Sequence, residues 1–474
     1  MKVHLCLLGA VILWTQQSSS QTVSPPTRTV IGASTMLDGK GGVLRNVRIV
    51  VEKSRIVAID TNAGPVDYDL TGLTVLPGWI DAHVHLASSF GKDGKNGEPV
   101  GTEQEAAYRM ASNAWVTLVA GFTTVQSLGS PADVPLRAAI ASGSLPGPRI
   151  LTAVEPLTGQ GEKTGTPDQI RAFVRKQKEA GADVIKIFAN YSVRRPAMML
   201  SQEQLDAACD EARKLGLRSL VHAYKDAVRA ATLAGCTEVE HGVLATDDDL
   251  RLMASTGTFL DPQAGIVWEN YLLNKEKFVG TPGYPASLDG FASMEQLIPI
   301  YHEFMKRALR IPGLKIVFGT DALAGSHGRN AEEFIDRVRD VGVDPMSAMV
   351  SANSLAAEAL GMGDQIGSLG QGLQADIIAL DGDPLKDITA VRRVVFVMKK
   401  GIVYKNSTSV TRVRQIQDDC EQKRGERGFP YLMARRALLS IQSRCSFLRE
   451  VAEAVGVDLR DAIAKEIRAD DRRQ

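Results

Sequence analysis

Strand-like and helix-like segments alternate through the middle of the chain, over residues 77–364. Short apolar runs are followed by amphipathic stretches, an arrangement that places parallel strands beside covering helices. The number of repeats and their combined length match a (β/α)8 barrel, which takes about 250 residues. A doubly wound open sheet is the alternative, but no glycine-rich phosphate loop follows the first strand. The predicted barrel strands are Thr74–Val84, Thr123–Leu128, Arg149–Val154, Val184–Phe188, Ser219–His222, Glu238–His241, Thr258–Asp261 and Lys315–Gly319.

Several of the intervening segments begin with residues that cap helices. Thr166 is followed by Pro167 and, three residues after the cap, by Gln169. Ser201–Gln204 and Thr246–Asp249 combine a hydroxyl cap with an amide or acidic residue three positions later. Such pairs satisfy the free amides of a first helical turn, so we predict a helix directly after each cap.

Both flanks of this region are rich in strand-forming residues interrupted by glycine and asparagine. Together they predict a small β-sandwich domain that is assembled from both ends of the chain. From residue 407 the sequence is charge-rich, with helical periodicity and few strand formers. The predicted division is a signal peptide at 1–20, the sandwich domain at 21–76 and 365–406, the barrel at 77–364, and a helical or partly disordered C-terminal extension at 407–474.

The N-terminus has the layout of a secretory signal peptide. Lys2 supplies a positive charge, Leu5–Trp14 forms a short apolar core, and small residues precede a cleavage point near Ser20. The apolar core is too short to span a bilayer, so an anchor in the membrane interface is the alternative. We expect a periplasmic or secreted protein without a membrane span.

Charge and cysteine content exclude several classes of protein. The 55 basic and 55 acidic residues balance, which gives no electrostatic basis for binding nucleic acid. Of the 5 cysteines, Cys6 leaves with the signal peptide, and the rest are too few for a disulfide scaffold. We expect Cys209 and Cys236 to be buried small hydrophobic residues, whereas Cys420 and Cys445 could bridge within the C-terminal extension.

Several of the 7 histidines stand at the carboxyl ends of predicted strands, the ends that face the mouth of a barrel. Any one of them could be a satisfied core histidine, but their shared position favours a metal site. Lys186 lies inside an apolar strand, where an ammonium group is costly unless it is paired or modified. Asp321 follows the last strand. The strand-end histidines are His83, His85, His222 and His241.

These residues and their flanking segments resemble the metal-dependent amidohydrolase superfamily, in its binuclear form with a carboxylated lysine. The segments VLPGWIDAHVHL, AGCTEVEHG and GLQADIIALDGDPL are similar to the imidazolonepropionase-like branch. That branch includes metal carboxypeptidases, prolidase-like dipeptidases and ochratoxin-hydrolysing amidases. The resemblance spans residues 28–406, and it implies a barrel with a flanking β-sandwich that assembles into homo-oligomers.

The resemblance implies a division of the strand-end residues between two metal ions. His83, His85 and Asp321 would hold the more buried ion. His222 and His241 would hold the more exposed ion. The two histidines of the first strand would thus bind one ion from the same side, because alternate residues of a strand share a face.

The resemblance also implies a modified lysine and a mechanism. Lys186, as N6-carboxylysine, would bridge two divalent ions, for which zinc is the expected metal and manganese or cobalt the alternatives. The ions would activate a bridging water. Asp321 would take the proton of that water and deliver it to the leaving amine.

Fewer signals point to substrate contacts. Tyr224 follows the histidine in VHAY, where the tyrosine of relatives is associated with the substrate carboxylate. Arg194 follows the lysine strand, and His327 and Arg329 follow the aspartate strand, so their loops would ring the mouth. Solvated loop charge is the alternative for the arginines. A Gly-Gly-His loop of related carboxypeptidases is replaced here by EPLTGQGEKTG, in which Lys163 is a candidate substitute.

The predicted activity is hydrolysis of amide bonds in dipeptide-like or N-acyl amino acid substrates that carry a free carboxylate. Cyclic amides, lactones or carbamates at the same site are the alternative. A deaminase is less favoured, because the segment VHAYKDA offers no glutamate beside His222, the histidine of the fifth predicted strand. A non-catalytic scaffold is the alternative of another class, but such relatives usually lack several metal ligands, and all of them are present here.

Overall fold

The computed structural model describes residues 26–97, 101–159 and 164–408. The predicted signal peptide, Lys163, and the predicted C-terminal extension beyond Thr408, with Cys420 and Cys445, lie outside the described residues. The strands are β1 (Thr29–Leu37), β2 (Val43–Glu52), β3 (Arg55–Asp60), β4 (Tyr68–Asp69), β5 (Thr74–Pro77), β6 (Trp79–Val84), β7 (Phe122–Ser127), β8 (Arg149–Thr152), β9 (Leu157–Thr158), β10 (Val184–Phe188), β11 (Asn190–Ser192), β12 (Arg195–Met198), β13 (Arg218–Ala223), β14 (Glu238–His241), β15 (Phe259–Asp261), β16 (Lys315–Ile316), β17 (Ile377–Leu380), β18 (Val394–Lys399) and β19 (Ile402–Asn406).

Helices follow most of the barrel strands, and none within the described ranges has the length and apolar character needed to cross a membrane. Single turns of 3-10 or π-helix lie at Leu288–Phe291, Arg337–Val341 and Ile388–Arg392. The α-helices are α1 (Glu103–Val119), α2 (Asp133–Ala141), α3 (Pro167–Glu179), α4 (Gln202–Lys214), α5 (Asp226–Leu233), α6 (Asp247–Thr256), α7 (Ile266–Leu273), α8 (Lys275–Phe278), α9 (Ala292–Glu295), α10 (Ile298–Leu309), α11 (Glu332–Asp336), α12 (Pro345–Ser351) and α13 (Ser354–Ala359).

The three predicted helix starts are confirmed. Thr166, Ser201 and Thr246 each accept a hydrogen bond from the amide three residues later, and the side chain at that position bonds back to the cap. These reciprocal pairs begin α3, α4 and α6. The capping residues therefore determine the residue at which each of these three helices begins.

The barrel is built from parallel strand pairs. One run joins β6, β7 and β8, and the other joins β9, β10, β13, β14, β15 and β16. The amide of Asp183, before β10, donates to the carbonyl of Thr152 on β8, at 2.8 Å. The amide of Ala82 on β6 donates to the carbonyl of Phe318, after β16, at 3.0 Å. These bonds connect the two runs at both edges, and the predicted (β/α)8 barrel with a β-sandwich domain is confirmed.

The sandwich domain is an eight-stranded sheet assembled from both flanks of the barrel. Its strand order is β19-β18-β17-β5-β1-β2-β3, and β4 lies beside β1. Ile31, Ile49 and Phe396 are buried in a core that belongs to this domain. Strands from the two ends of the described chain thus complete one hydrophobic core.

The predicted strand Thr74–Val84 is in fact two strands in two sheets. β5 pairs with β1 and β17 in the sandwich, whereas β6 begins the barrel. Gly78 separates them, and a Cβ atom there would lie 2.2 Å from the Thr123 side chain. The chain therefore passes from one domain to the other within a single residue that has to be glycine.

The two domains share a hydrophobic core at this junction. Trp79 is fully buried, with its ring centroid 5.4 Å from that of Phe122 and 5.0 Å from that of Phe334. Leu76 and Val397 of the sandwich belong to the same buried cluster. The sandwich therefore packs directly on the amino-terminal end of β6.

Cys209 and Cys236 form a disulfide, so their interpretation as unlinked buried hydrophobic residues is wrong. Both side chains are buried, as expected, but their Cα atoms are 5.1 Å apart. The bond joins α4 to the turn before β14. Their separation of 27 residues gave no sign of the contact, which depends on the packing of α4 against the neighbouring repeat.

We predict that reduction of this disulfide lowers the free energy of unfolding by about 3 kcal/mol, because the bond restricts the unfolded chain. Urea denaturation of the wild type with and without reductant measures the change. The double variant C209A/C236A is the control, since it lacks this bond and any shift that reductant still causes in it would come from Cys420 and Cys445. A wild-type midpoint that is insensitive to reductant would contradict the prediction.

Candidate metal centre

The ends of the first and last barrel strands bring three ligand atoms together. His83 lies on β6, His85 follows it directly, and Asp321 follows β16. Asp321 Oδ1 lies 3.4 Å from His83 Nε2 and 3.0 Å from His85 Nε2. Burial alone would raise the pKa of Asp321, but the two imidazoles hold it well below its usual range. The three groups converge closely enough to hold one metal ion.

A second pair of imidazoles lies on the neighbouring strands. His241 Nε2, at the end of β14, is 2.9 Å from His222 Nδ1 on β13. Burial lowers the pKa of His222 to about 3 and lowers that of His241 well below its ordinary value. Both rings are therefore neutral near pH 7, which is the form that binds metals. The ring centroids of His241 and His83 are 5.8 Å apart, so the two groups adjoin.

Lys186 on β10 is fully buried beside these imidazoles. Its Nζ lies 3.5 Å from His83 Nε2, and it forms no ion pair with any described carboxylate. Burial lowers the pKa of Lys186, and the charges of Glu240 and Asp321 oppose that effect. An unpaired buried ammonium group is costly, so this position favours a neutral amine.

These donors fit divalent metal ions. Imidazole nitrogen and carboxylate oxygen are the ligand types that zinc, manganese and cobalt accept. His222 Nδ1 and His241 Nε2 face each other at 2.9 Å, so these two ring nitrogens converge closely enough for one ion to be held between them. The six side chains predicted as ligands therefore stand around one end of the barrel with donor atoms that suit a metal.

Two of these residues have a left-handed backbone, which is unusual for residues other than glycine. The φ angle is 65° at His241 and 52° at Asp321. Neighbouring residues of a strand normally point to opposite faces. The turn at His241 lets both this residue and Glu240 reach the barrel interior. Such strain costs about 1–3 kcal/mol and is concentrated at functional sites.

Another group of convergent ligand atoms lies deeper in the barrel, formed by His83, Glu240 and Asp261. It uses the other nitrogen of the same imidazole, because His83 Nδ1 lies 2.5 Å from Glu240 Oε2. Two ligand atoms of one zinc ion are about 3.3 Å apart in tetrahedral geometry. The Nδ1–Oε2 pair is closer than that and forms a hydrogen bond.

A cavity of about 670 Å³ opens above the imidazoles, with His222, His241 and Asp321 on its floor. Its walls come from the hairpin β11–β12 and from the segment between β15 and β16, which contains α7, α9 and α10. The aromatic residues of its lining are Tyr191, Tyr224, Trp268, Tyr271, Tyr284 and Tyr301.

Two of the predicted substrate residues line this cavity. The Tyr224 ring stacks on His241 with centroids 5.2 Å apart, and its hydroxyl lies 3.2 Å from that of Tyr301. Burial raises the pKa of Tyr224 well above its ordinary value, so its hydroxyl keeps its proton. Arg194 lies on the hairpin and donates a hydrogen bond to Ser293 Oγ across the cavity, at 2.8 Å.

The other two predicted substrate residues do not line the cavity. His327 is packed behind the metal ligands, with Nε2 at 3.2 Å from the carbonyl of Ser88. Burial lowers the pKa of His327 to about 4, so its ring is neutral near pH 7. Arg329 pairs with Glu269 of α7 at 2.9 Å. The loop after the last strand therefore turns these side chains away from the mouth.

Sequence reasoning did not find several of the residues at the site. Glu240 had a usable signal, since it is a carboxylate inside an apolar strand that ends in a histidine. Gln263 and the aromatic wall from Trp268 to Tyr301 had none. They lie in the long segment after β15, and only the fold brings them above the barrel.

The fold and the site agree with comparisons to known proteins. The amidohydrolase family matches residues 74–403. Ochratoxinase of Aspergillus niger is 25% identical over 428 residues, which cover 80% of this chain and 86% of that protein. Imidazolonepropionase of Rhodococcus jostii is 24% identical, covering 77% of this chain and 90% of that protein. A crystal structure of a Xaa-Pro dipeptidase with bound methionine has a TM-score of 0.71 and 30% identity, covering 80% of this chain and 100% of that one.

A barrel with a flanking sandwich and a histidine–aspartate cluster at its strand ends defines the class of metal-dependent hydrolases. The chain belongs to the amidohydrolase family, as the sequence resemblance predicted. It is a hydrolase of carbon–nitrogen bonds of the amide type. Members of this family generally use divalent metals, which the donor set at this site fits.

We predict that His222→Ala lowers the tightly bound divalent metal by about one ion per chain, because one imidazole alone rarely holds an ion. Elemental analysis after dialysis measures the ratio of metal to protein. His302→Ala is the control, since His302 lies on α10 and does not line the cavity. Equal metal content in the two variants would count against this site.

Proposed function

We propose that the protein hydrolyses the amide bond of dipeptide-like or N-acyl amino acid substrates that carry a free carboxylate and a large apolar or aromatic group. The site would hold two divalent metal ions, zinc by default, with carboxylated Lys186 as a ligand beside the histidines and Asp321. The observation that carries this proposal is the cavity, which joins ligand imidazoles on its floor to aromatic walls and arginines.

Two bound divalent ions supply Lewis-acid activation of water and of the scissile carbonyl. His83 and His85 both contact Asp321 through its Oδ1 atom, so Oδ2 is the oxygen that we assign to proton transfer. Asp321 would take a proton from the attacking water and then deliver that proton to the leaving amine. The buried position of Lys186 supports a neutral amine, which is the form that reacts with carbon dioxide.

The charges of the cavity support an anionic substrate. Arg194 and Arg195 line it, and Asp321 is the one carboxylate among its described lining residues. The protonated hydroxyl of Tyr224 is a further donor near the floor. A carboxylate between an arginine and a tyrosine gains charge-assisted hydrogen bonds, while the amide lies over the metal ligands.

The aromatic walls support an apolar or aromatic group on the substrate. A cavity of this size is within the usual range for small-molecule sites and exceeds what a dipeptide of small residues would fill. The likeness to a Xaa-Pro dipeptidase with methionine bound in its active site supports a substrate of the dipeptide type.

We propose export from the cytoplasm on separate grounds. The disulfide between Cys209 and Cys236 supports an oxidising compartment, where such bonds persist. It agrees with the signal-like N-terminus of the sequence.

The central test is Lys186→Ala, purified beside the wild type in bicarbonate. We expect about two metal ions per wild-type chain and hydrolysis of some members of a panel of N-acyl amino acids and dipeptides. The variant should lose both the second ion and the hydrolysis. Lys399→Ala is a matched control, because Lys399 is also buried but lies on β18 of the sandwich.

The outcomes of this test separate the alternatives. Two ions without turnover on any dipeptide or N-acyl amino acid would contradict the proposed substrate and favour cyclic amides, lactones or carbamates. No metal in the wild type, and no effect of Lys186→Ala, would overturn the mechanism and favour a scaffold.

We expect Arg194→Ala to raise KM roughly 10–100-fold for substrates with a free carboxylate, which corresponds to the loss of one charge-assisted hydrogen bond. Steady-state kinetics with paired carboxylate and carboxamide substrates measure the effect, and KM for the carboxamides should not change. Arg329→Ala is the comparison, since Arg329 lies outside the cavity. A larger rise in KM for Arg329→Ala than for Arg194→Ala would reverse the assignment.

A further inference from the structure

A buried carboxylate contacts a metal ligand on the side that faces away from the cavity. Glu240 Oε2 lies 2.5 Å from His83 Nδ1, and both side chains are buried. Glu240 lies on β14, directly before His241, and His83 lies on β6 across the barrel. The contact therefore crosses the barrel interior beneath the proposed metal centre.

This contact determines which nitrogen of His83 carries the proton. A carboxylate is an acceptor, so the short distance requires Nδ1 to be the donor. With the proton on Nδ1, the lone pair of the neutral ring is on Nε2. That atom faces Asp321 and Lys186 at 3.4 Å and 3.5 Å. The opposite tautomer would bring two lone pairs together at Nδ1 and leave Nε2 unable to bind a metal.

Gln263 holds the carboxylate in place. Its Nε2 donates to Glu240 Oε2 at 2.9 Å. The same amide nitrogen is 3.2 Å from His83 Nδ1, but two donors do not bond, so the hydrogen bond goes to the carboxylate. Glu240 thus accepts one hydrogen bond from a metal ligand and one from a fixed amide.

The other end of Gln263 contacts the second half of the site. Its Oε1 accepts a hydrogen bond from the backbone amide of His241, at 3.2 Å. His241 has a left-handed backbone, which needs support from its surroundings. One glutamine side chain therefore connects the imidazole of His83 to the backbone that orients the imidazole of His241.

We propose that Glu240 and Gln263 are positioning residues for both halves of the metal centre. Glu240 fixes the tautomer and the orientation of His83. Gln263 aligns Glu240 and supports the backbone of His241. This inference rests on the proposed metal centre. It adds hydrogen bonds that orient the ligands His83 and His241 before any ion binds.

Glu240→Gln against Glu238→Gln is the test. Both glutamates are fully buried on β14. Among the described residues, however, Glu238 forms no hydrogen bond to a metal ligand. Competition with a chelator measures zinc affinity in the absence of substrate. We expect Glu240→Gln to weaken binding roughly 10–100-fold and Glu238→Gln to leave it unchanged. Equal affinities in the two variants would overturn the inference.

Thermal unfolding provides a readout that distinguishes positioning from general stability. Metal-free Glu240→Gln and Glu238→Gln should unfold at similar temperatures, whereas added zinc should raise the unfolding temperature less for Glu240→Gln. A defect confined to the metal-free state would instead indicate a structural role and overturn the inference.

Gln263→Leu tests the second link if Glu240→Gln fails to fold. We expect weaker zinc binding and an altered visible spectrum of the cobalt-loaded protein, because the backbone of His241 loses its support. A wild-type spectrum and affinity would overturn the role of Gln263. A wild type that binds no metal would overturn the proposed function itself, whereas two ions bound equally by wild type and Glu240→Gln would overturn this inference alone.

Discussion

The backbone hydrogen bonds between β6 and the segment after β16 determine where the chemistry can take place. The amide of His85 donates to the carbonyl of Ala322 at 2.8 Å, next to Asp321 in sequence. Residues that are more than two hundred positions apart in the chain become neighbours only because the barrel closes there. The cluster of His83, His85 and Asp321 is therefore a direct product of barrel closure, and the remaining ligands join it from strands that lie farther around the ring.

Closure also buries charge, and charge balance becomes a requirement for stability. Glu238 and Glu240 are fully buried inside the barrel, where burial and the nearby Glu240 raise the pKa of Glu238 well above its ordinary value. Under the proposed function, carbon dioxide converts the neutral amine of Lys186 into an anion, and divalent ions would balance the added negative charge. Lysine modification and metal binding would then depend on each other, because a buried carboxylated lysine without metal ions has a high electrostatic free energy.

The sequence predicted those features that depend on local pattern. Capping residues gave the starts of α3, α4 and α6, and strand-end positions gave residues that meet at the mouth, such as His222 and His241. Features that depend on distant packing were not predictable. A run of apolar residues could not show that Gly78 divides two sheets, and no spacing linked Cys209 to Cys236. The direction of Arg329 depends on Glu269, which reaches it only through the packing of α7.

The passage between the two domains has a thermodynamic consequence. β5 and β6 are separated by Gly78 alone, and Trp79 is buried in a core that both domains supply. A linker this short cannot allow one domain to unfold while the other keeps its native strand. The barrel and the sandwich are thus expected to melt in a single cooperative transition, and truncation of either flank would remove the support of the strand that carries His83. The sandwich therefore supports the strand that carries the site, and removal of the sandwich should unfold the barrel as well.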